Sequence, residues 1–123
     1  MKRLLLLAAL LSLVAMLIFV SVAGAHKQPT NAAQAQKQAT KKVSIQDFRF
    51  SPAKIAVKKG TKVTWVNRGN AAHTVTANNG AFDSGTLQPG ESFSRTFRKA
   101  GKFNYHCEIH PEMKGSVTVK RRR

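Results

Sequence analysis

The chain has 123 residues, of which 21 are Lys or Arg and 5 are Asp or Glu, so its formal net charge is +16 at pH 7. This length suits a single domain, and so large a positive charge attracts acidic partners and anionic surfaces. The sequence contains one cysteine, which excludes a fold held together by internal disulfide bonds.

The first 25 residues have the layout of a secretory signal peptide. A basic start, Met1–Arg3, precedes the apolar run Leu4–Val22, and Ala23–Ala25 forms a small-x-small cleavage site. We therefore predict cleavage after Ala25 and a secreted or periplasmic protein. The apolar run approaches the ~20 residues that cross a bilayer. An uncleaved anchor on the outer side of the cytoplasmic membrane is the alternative.

Residues 26–42 predict a flexible linker. They contain no Val, Ile, Leu or aromatic residue, so they cannot bury enough apolar surface to offset the entropy of ordering. The domain itself is expected to span residues 43–120. The three arginines at 121–123 then form a basic tail.

Residues 43–120 read as short β-strands bounded by Gly, Pro or Asn. Val43 and Ile45 take one parity and Phe48 and Phe50 the other, which predicts a bulge or a bend near Asp47. We count about seven strands and no helical period. The pattern predicts an all-β fold, a Greek-key β-sandwich.

Two further stretches belong to this pattern of strands. Trp65 lies in an alternating run and is expected in the core. His73 opens another short run that is predicted to alternate through Thr76.

The segment Tyr105–Met113 carries the residues with metal-binding chemistry. It contains Cys107, which is the only cysteine, together with His110 and Met113. Thiolate and thioether are soft ligands, and two imidazoles, one thiolate and a weak axial thioether make up a blue-copper site. A single thiol in an oxidising compartment is also a liability unless it is buried or bound to a ligand.

Strand parity selects the second imidazole. Cys107 shares the parity of the apolar residues of its strand, so the neighbouring His106 is expected to face solvent. His26 lies in the predicted linker. His73 follows a loop rich in turn-forming residues, and it can meet His110 where neighbouring strands start and stop at one end of the sandwich.

Each candidate also has an ordinary structural explanation. His73 could be a rim histidine, Met113 a filler of core gaps and Cys107 a small buried hydrophobe. Zinc is the other metal to weigh, with Glu108 or Glu112 as a fourth ligand, but methionine is not among the usual zinc ligands. The convergence of the four candidates around one loop favours copper.

The sequence resembles small cupredoxins of the plastocyanin, pseudoazurin and amicyanin kind over residues 43–120. The Cys-x-x-His-x-x-Met spacing is that of the short amicyanin loop, whereas plastocyanins have two more residues before the methionine. The resemblance implies a single type 1 copper, with three trigonal ligands and a weak axial one: His73, Cys107 and His110, then Met113. The motifs that carry it are Val63–Asn67, His73, Phe82–Gly85 and Tyr105–Met113.

The function expected from this site is one-electron transfer between redox proteins, with no enzymatic activity. The basic surface predicts acidic protein partners, steered by charge, and no specific nucleic acid. We expect a monomer, with a membrane tether or an anionic surface as further contacts. A copper-binding or delivery protein without redox turnover is the alternative. A basic sandwich that only binds polyanions leaves the Cys107–Met113 motif without a role.

Two details of the site are specific to this chain. Ile109 stands where amicyanins have proline, so we expect its backbone N–H to donate to the Cys107 sulfur. The Asn67 side chain is expected to tie its own loop to the ligand loop.

Overall fold

The computed structural model describes Gly24 and residues 37–123. The chain divides into two units, Met1–Gln34 and Ala35–Arg123, and the strands described below all lie in the second. Apart from Gly24, the predicted signal peptide, its cleavage site and most of the predicted linker fall outside the described residues and stay predictions. In the described part of the chain no helix is long and apolar enough to cross a membrane.

Eight strands form two four-stranded sheets, which confirms the predicted all-β sandwich. The first sheet has the order β2-β1-β4-β6 and the second has the order β3-β8-β7-β5. The pairs β1·β4 and β3·β8 are parallel, and the remaining pairs are antiparallel. The strands are β1 (Thr40–Gln46), β2 (Arg49–Ser51), β3 (Lys54–Lys58), β4 (Thr61–Asn67), β5 (Thr76–Ala77), β6 (Ser92–Phe97), β7 (Gly101–His106) and β8 (Lys114–Lys120).

The register of the strands gives the sandwich two distinct ends. At the loop end, β4 and β7 finish while β6 and β8 begin. At the opposite end, β1 and β4 begin together while β3 and β8 finish together. The turn Lys59-Gly60 joins the two sheets there, because Lys59 N–H donates to Lys120 O at 2.9 Å and Gly60 N–H donates to Phe97 O at 2.6 Å. Gly60 has φ +89°, a conformation that favours glycine.

Trp65 lies at the centre of the core and is 0% exposed, as predicted. Its ring packs against four other aromatic rings at centroid distances of 5.5–6.3 Å, which suits offset and edge-to-face contacts. All buried hydrophobic residues of the described chain lie between Val43 and Val119. The unit 35–123 therefore contains its own core and folds without the residues that precede it.

The region around Asp47 is a bend of the chain, the second of the two predicted alternatives, and not a bulge. Asp47 and Phe48 form a two-residue turn, because Gln46 pairs directly with Arg49 across β1 and β2. The turn brings Phe50 opposite Ile45 on the buried side and leaves Phe48 at φ +66° and 59% exposed. The change of parity was real, but a reversal of the chain produces it rather than an extra residue in a continuous strand.

Two other expectations need correction. β1 begins at Thr40, three residues inside the predicted linker, because the polar residues 40–42 pair with residues 62–64 of β4. The run from His73 does not alternate: residues 73–77 are all buried, and only Thr76–Ala77 form a strand. Residues 82–87 cover the outer edge of the segment 73–77. They do so through isolated β-bridges from Leu87 to His73 and from Asp83 to Thr76.

The close contact between Gly115 and Tyr105 gives a stability prediction. A Cβ on Gly115 would overlap the ring and hydroxyl of Tyr105, which is 1% exposed and directly opposite in the β7·β8 register. Overpacking of this kind costs about 1–3 kcal/mol. We expect Gly115→Ala to lower the free energy of unfolding in urea by that amount.

A double-mutant cycle checks the cause of this loss. In a Tyr105→Leu background the ring is absent, so Gly115→Ala should cost much less than it does in the wild type. An equal cost in both backgrounds would contradict the steric explanation.

Candidate metal centre

Cys107 follows β7 directly at the loop end and is fully buried. The backbone N–H of Thr74 donates to its Sγ at 3.3 Å, and the Thr74 hydroxyl accepts from Glu108 N–H at 2.8 Å. These two contacts join the segment after Cys107 to the segment after His73. The bond from Thr74 N–H holds the sulfur in place and leaves its other lone pairs available to a metal ion.

His73 is 0% exposed, and a β-bridge to Leu87 holds its backbone. His73 N–H donates to Leu87 O at 3.1 Å and Leu87 N–H donates to His73 O at 2.7 Å. On the ring, Nδ1 lies 3.8 Å from Cys107 Sγ, and Nε2 lies 3.3 Å from Asp47 Oδ1. One nitrogen of the ring therefore faces the thiol and the other faces a carboxylate.

Asp47 is the residue at this site that sequence reasoning missed. Its carboxylate accepts N–H bonds from Asn70 at 2.9 Å and from Ala71 at 3.0 Å, besides facing His73 Nε2. The backbone bonds from Ala71 and Asn70, and then His73, lower the pKa of Asp47 from 3.8 to about 2. An ionised carboxylate only accepts hydrogen bonds. Nε2 of His73 must therefore be the donor, which leaves the Nδ1 lone pair free for a ligand.

His110 lies in the loop after Cys107 and is partly exposed. Its Nδ1 is 3.8 Å from Cys107 Sγ and 3.2 Å from His73 Nδ1. The edge-on ring of Phe48 stands 5.0 Å from the His110 ring, centroid to centroid, at 86°. Phe48 and Ile109 are the two exposed large hydrophobic residues of the described chain. Phe48 contacts the His110 ring and Ile109 precedes it in the chain, so we call these two residues the apolar margin of His110.

Met113 closes the ligand loop through its backbone. Met113 N–H donates to His110 O at 2.9 Å, and Cys107 N–H donates to Met113 O at 3.1 Å. The side chain is 2% exposed. The loop is thus a compact turn in which three of the four predicted ligands are joined by hydrogen bonds.

Asn67 fixes the other loop, although not in the way that the sequence suggested. Its Nδ2 donates to Ala71 O at 2.8 Å and to Leu87 O at 2.9 Å, and its Oδ1 accepts from Gly69 N–H at 2.9 Å. These bonds tie together the loop before His73 and the segment paired with it. They do not reach the Cys107–Met113 loop.

The distances between Cys107 Sγ and the Nδ1 atoms of His73 and His110 are those expected around one metal ion. With metal–nitrogen and metal–sulfur bonds of about 2.0 and 2.3 Å, a trigonal plane would separate the nitrogens by about 3.5 Å and each nitrogen from sulfur by about 3.7 Å. The structure has 3.2 Å between the nitrogens and 3.8 Å from each nitrogen to the sulfur. His73, Cys107 and His110 form the metal-capable cluster found among residues 37–123. The chemistry of its donors fits copper better than a harder ion.

Two neighbours of the cluster complete the account of the predicted residues. His106 lies beside Cys107 in the chain but turns away, and its Nδ1 is 2.6 Å from Asn78 Oδ1. The expectation for Ile109 is corrected, because the backbone donor to the Cys107 sulfur is Thr74. Thr74 follows His73 directly. One segment therefore supplies both a candidate metal ligand, His73 Nδ1, and the N–H that donates to the Cys107 sulfur.

Comparisons with known proteins agree with this geometry. Amicyanin of Paracoccus denitrificans is 32% identical over 83 residues, which cover 63% of this chain and 63% of that protein. Plastocyanin of Scenedesmus fuscus is 34% identical over 84 residues, covering 58% of this chain and 86% of that protein. The chain therefore spans less than two thirds of the length of this amicyanin.

Solved structures show the same fold. An amicyanin variant in its Cu(I) form superposes with a TM-score of 0.62 at 32% identity, covering 72% of this chain and 88% of the other. A purple cupredoxin from Nitrosopumilus maritimus gives a TM-score of 0.61 at 29% identity, covering 64% of this chain and 98% of the other. A family model described as a cupredoxin-like domain matches residues 10–119. The chain belongs to the family of cupredoxin-like domains, as the resemblance of its sequence implied.

Proposed function

We propose that this protein carries single electrons by means of one type 1 copper ion held by His73, Cys107, His110 and Met113. The observation that supports this most directly is the convergence of one thiol and two imidazole Nδ1 atoms, all within 4.8 Å of one another. When bound, the ion supplies one-electron chemistry by alternating between Cu(II) and Cu(I).

Each residue of the chain then has a distinct role. Cys107 supplies the thiolate, whose charge the Thr74 N–H stabilises. His73 offers the inner imidazole, held by Asp47. His110 is the imidazole closest to solvent, so its edge would be the place where a redox partner approaches. Met113 would supply a weak thioether ligand, and its side chain is buried.

Burial favours an electron carrier over a copper-delivery protein. His73 and Cys107 are 0% exposed and Met113 is 2% exposed. Release of copper to an acceptor protein would require the ligand loop to open against its two backbone hydrogen bonds. Four protein ligands also leave no coordination position for a substrate, so the site suits a carrier rather than an enzyme.

The partners inferred for this site are redox proteins that dock against the apolar margin of His110. The net charge of +16 attracts an acidic partner from a distance. At short range the carboxylates of Glu108 and Glu112 repel negative charge, so the partner's contact surface near the loop should not be densely acidic. We place the protein outside the cytoplasm on the basis of the signal-like N-terminal sequence, and we propose that it acts there as a monomer.

The test is a titration of the self-contained unit 35–123 with Cu(II). We expect an intense visible absorption band that saturates at one equivalent, bleaches with ascorbate and returns with ferricyanide. A colourless complex would overturn the blue-copper assignment. A coloured complex that gives up its metal within seconds to a mild chelator would favour delivery instead.

A further inference from the structure

The end of the sandwich opposite the ligand loops is a concentrated cationic surface. Two clefts of about 610 and 640 Å³ lie side by side there and share Arg121 and Arg122. Their linings contain eight exposed basic residues and no carboxylate. We call this surface the basic pole; its basic residues are Lys58, Lys59, Arg98, Lys99, Lys120, Arg121, Arg122 and Arg123.

The fold brings these charges together from three separate segments. The turn after β3, the turn after β6 and the end of β8 all lie at this end of the sandwich. Arg122 Nε donates to Lys59 O at 2.9 Å, and its guanidinium passes over Gly60. The tail is thus folded against the turn, so the pole is part of the domain's surface.

The five carboxylates of the chain are segregated from this pole. Asp47 lies in the turn beside His73, and Glu108 and Glu112 lie in the ligand loop. Glu91 accepts at its backbone from Asn67, and Asp83 bridges to Thr76 beside the end of β7. The side chains of the pole are therefore only positive in charge, whereas the carboxylates lie at the metal end together with Lys54, Arg68 and Lys114.

The chain enters the domain at the basic pole. β1 begins at Thr40, which pairs with Lys62 at the start of β4. Gln38 donates to Gly60 O at 3.3 Å and to Thr96 Oγ1 at 3.2 Å, at the same end. In the sequence the apolar run Leu4–Val22 stands before this entry, separated from Thr40 by a segment that reaches at most about 60 Å.

We propose that the basic pole docks on an anionic lipid bilayer and turns the metal end away from it. Clusters of 4–8 Lys or Arg bind the headgroups of acidic lipids, and the eight cations of the pole are of that size. A polybasic patch binds acidic headgroups reversibly by itself, and an uncleaved apolar run would add to this binding, because the chain enters the domain at the pole. The position of the pole sets the orientation, because the pole lies at the end of the sandwich opposite His110.

The experiment uses the unit 35–123 without copper, so its outcome is independent of the electron-transfer proposal. Binding is measured by co-sedimentation with phosphatidylcholine vesicles that contain about 30% phosphatidylglycerol, and with pure phosphatidylcholine vesicles. We expect binding to the anionic vesicles only, abolished near 1 M salt, where the screening length falls to about 3 Å.

Matched variants locate the surface. The triple variant Arg121→Gln, Arg122→Gln, Arg123→Gln should bind about 100-fold more weakly. The triple variant Lys54→Gln, Arg68→Gln, Lys114→Gln removes the same charge outside the pole and should bind within about 5-fold of wild type. The double variant Arg98→Gln, Lys99→Gln repeats the test without altering the tail, in case thermal unfolding shows the first variant to be unstable.

Three outcomes would overturn the proposal. If both triple variants lost the same amount of vesicle affinity, the net charge of the protein would explain binding and the pole would have no special role. Equal binding to neutral vesicles would remove the role of acidic headgroups. Tighter binding to single-stranded DNA than to anionic vesicles, lost in the same pole variants, would make the pole a nucleic-acid surface instead of a lipid surface.

Discussion

Replacing Cys107 by serine is expected to abolish the visible absorption band completely. The band requires a thiolate bound to copper, and serine offers a hard oxygen in place of the soft sulfur. The copper affinity should also fall, by at least the ~100-fold that follows loss of an outer hydrogen-bond partner. The measurement is an absorption titration with Cu(II), followed by competition with a chelator of known affinity.

The fold should survive this change, because serine is similar in size and Thr74 N–H can donate to its hydroxyl as it does to the sulfur. His106→Ala is the matched control. It alters the neighbouring residue, whose ring bonds to Asn78 and turns away from the cluster, so the band should remain. A coloured Cys107→Ser complex, or a colourless His106→Ala complex, would show that the ligands have been assigned wrongly.

The parts of this site that the sequence predicted depend on local periodicity. Successive strand residues face opposite sides, and this alone separated Cys107 from His106. The short spacing from Cys107 to Met113 likewise specifies one tight loop. The opposite facing of Cys107 and His106 and the tight loop from Cys107 to Met113 each involve fewer than ten residues. One strand and one turn are therefore enough to determine them.

The parts that sequence reasoning missed depend on distant pairing. Asp47 meets His73 across 26 positions only because the chain reverses between β1 and β2. The parity change at Phe48 signalled an irregularity but did not distinguish a turn from a bulge. Thr74 was unrecognised as the donor to Cys107 Sγ because its segment is held by Leu87 rather than by a regular strand.

The same distinction applies to the charges. From the net charge of +16 we expected a basic surface that steers acidic partners. The fold determines where that charge lies, because it gathers basic residues from two turns and the end of β8 at one end of the sandwich and leaves the carboxylates at the other. Such a separation cannot be seen without knowing which strands are parallel.

Replacing Asp47 by asparagine is expected to weaken copper binding by about 10- to 100-fold, the usual cost of losing a carboxylate that orients a ligating histidine. The change keeps the shape of the side chain but removes its charge, so His73 loses its charged acceptor, and a side chain that can also donate no longer fixes the proton on Nε2. The amide also presents an N–H₂ group where the carboxylate accepted from Asn70 or Ala71. Chelator competition on the unit 35–123 measures the loss.

Glu91→Gln is the matched control, because it removes one carboxylate whose side chain accepts only from Gln88 N–H. Its copper affinity should stay within about 3-fold of wild type. A loss equal to that of Asp47→Asn would mean that the negative charge of the loop end acts as a whole, without a specific contact to His73.

The metal-free protein gives an independent measure of the same contact. The folded pKa of Asp47 is about 2 against an ordinary 3.8, so its ionised form stabilises the fold above pH 4. That contribution is lost as the pH falls from about 4 to 2, because protonation removes the acceptor of the three N–H groups. Urea unfolding at pH 5 and at pH 2.5 should therefore show a smaller loss of stability for Asp47→Asn than for wild type. An identical loss in the two proteins would place the acid-sensitive group elsewhere.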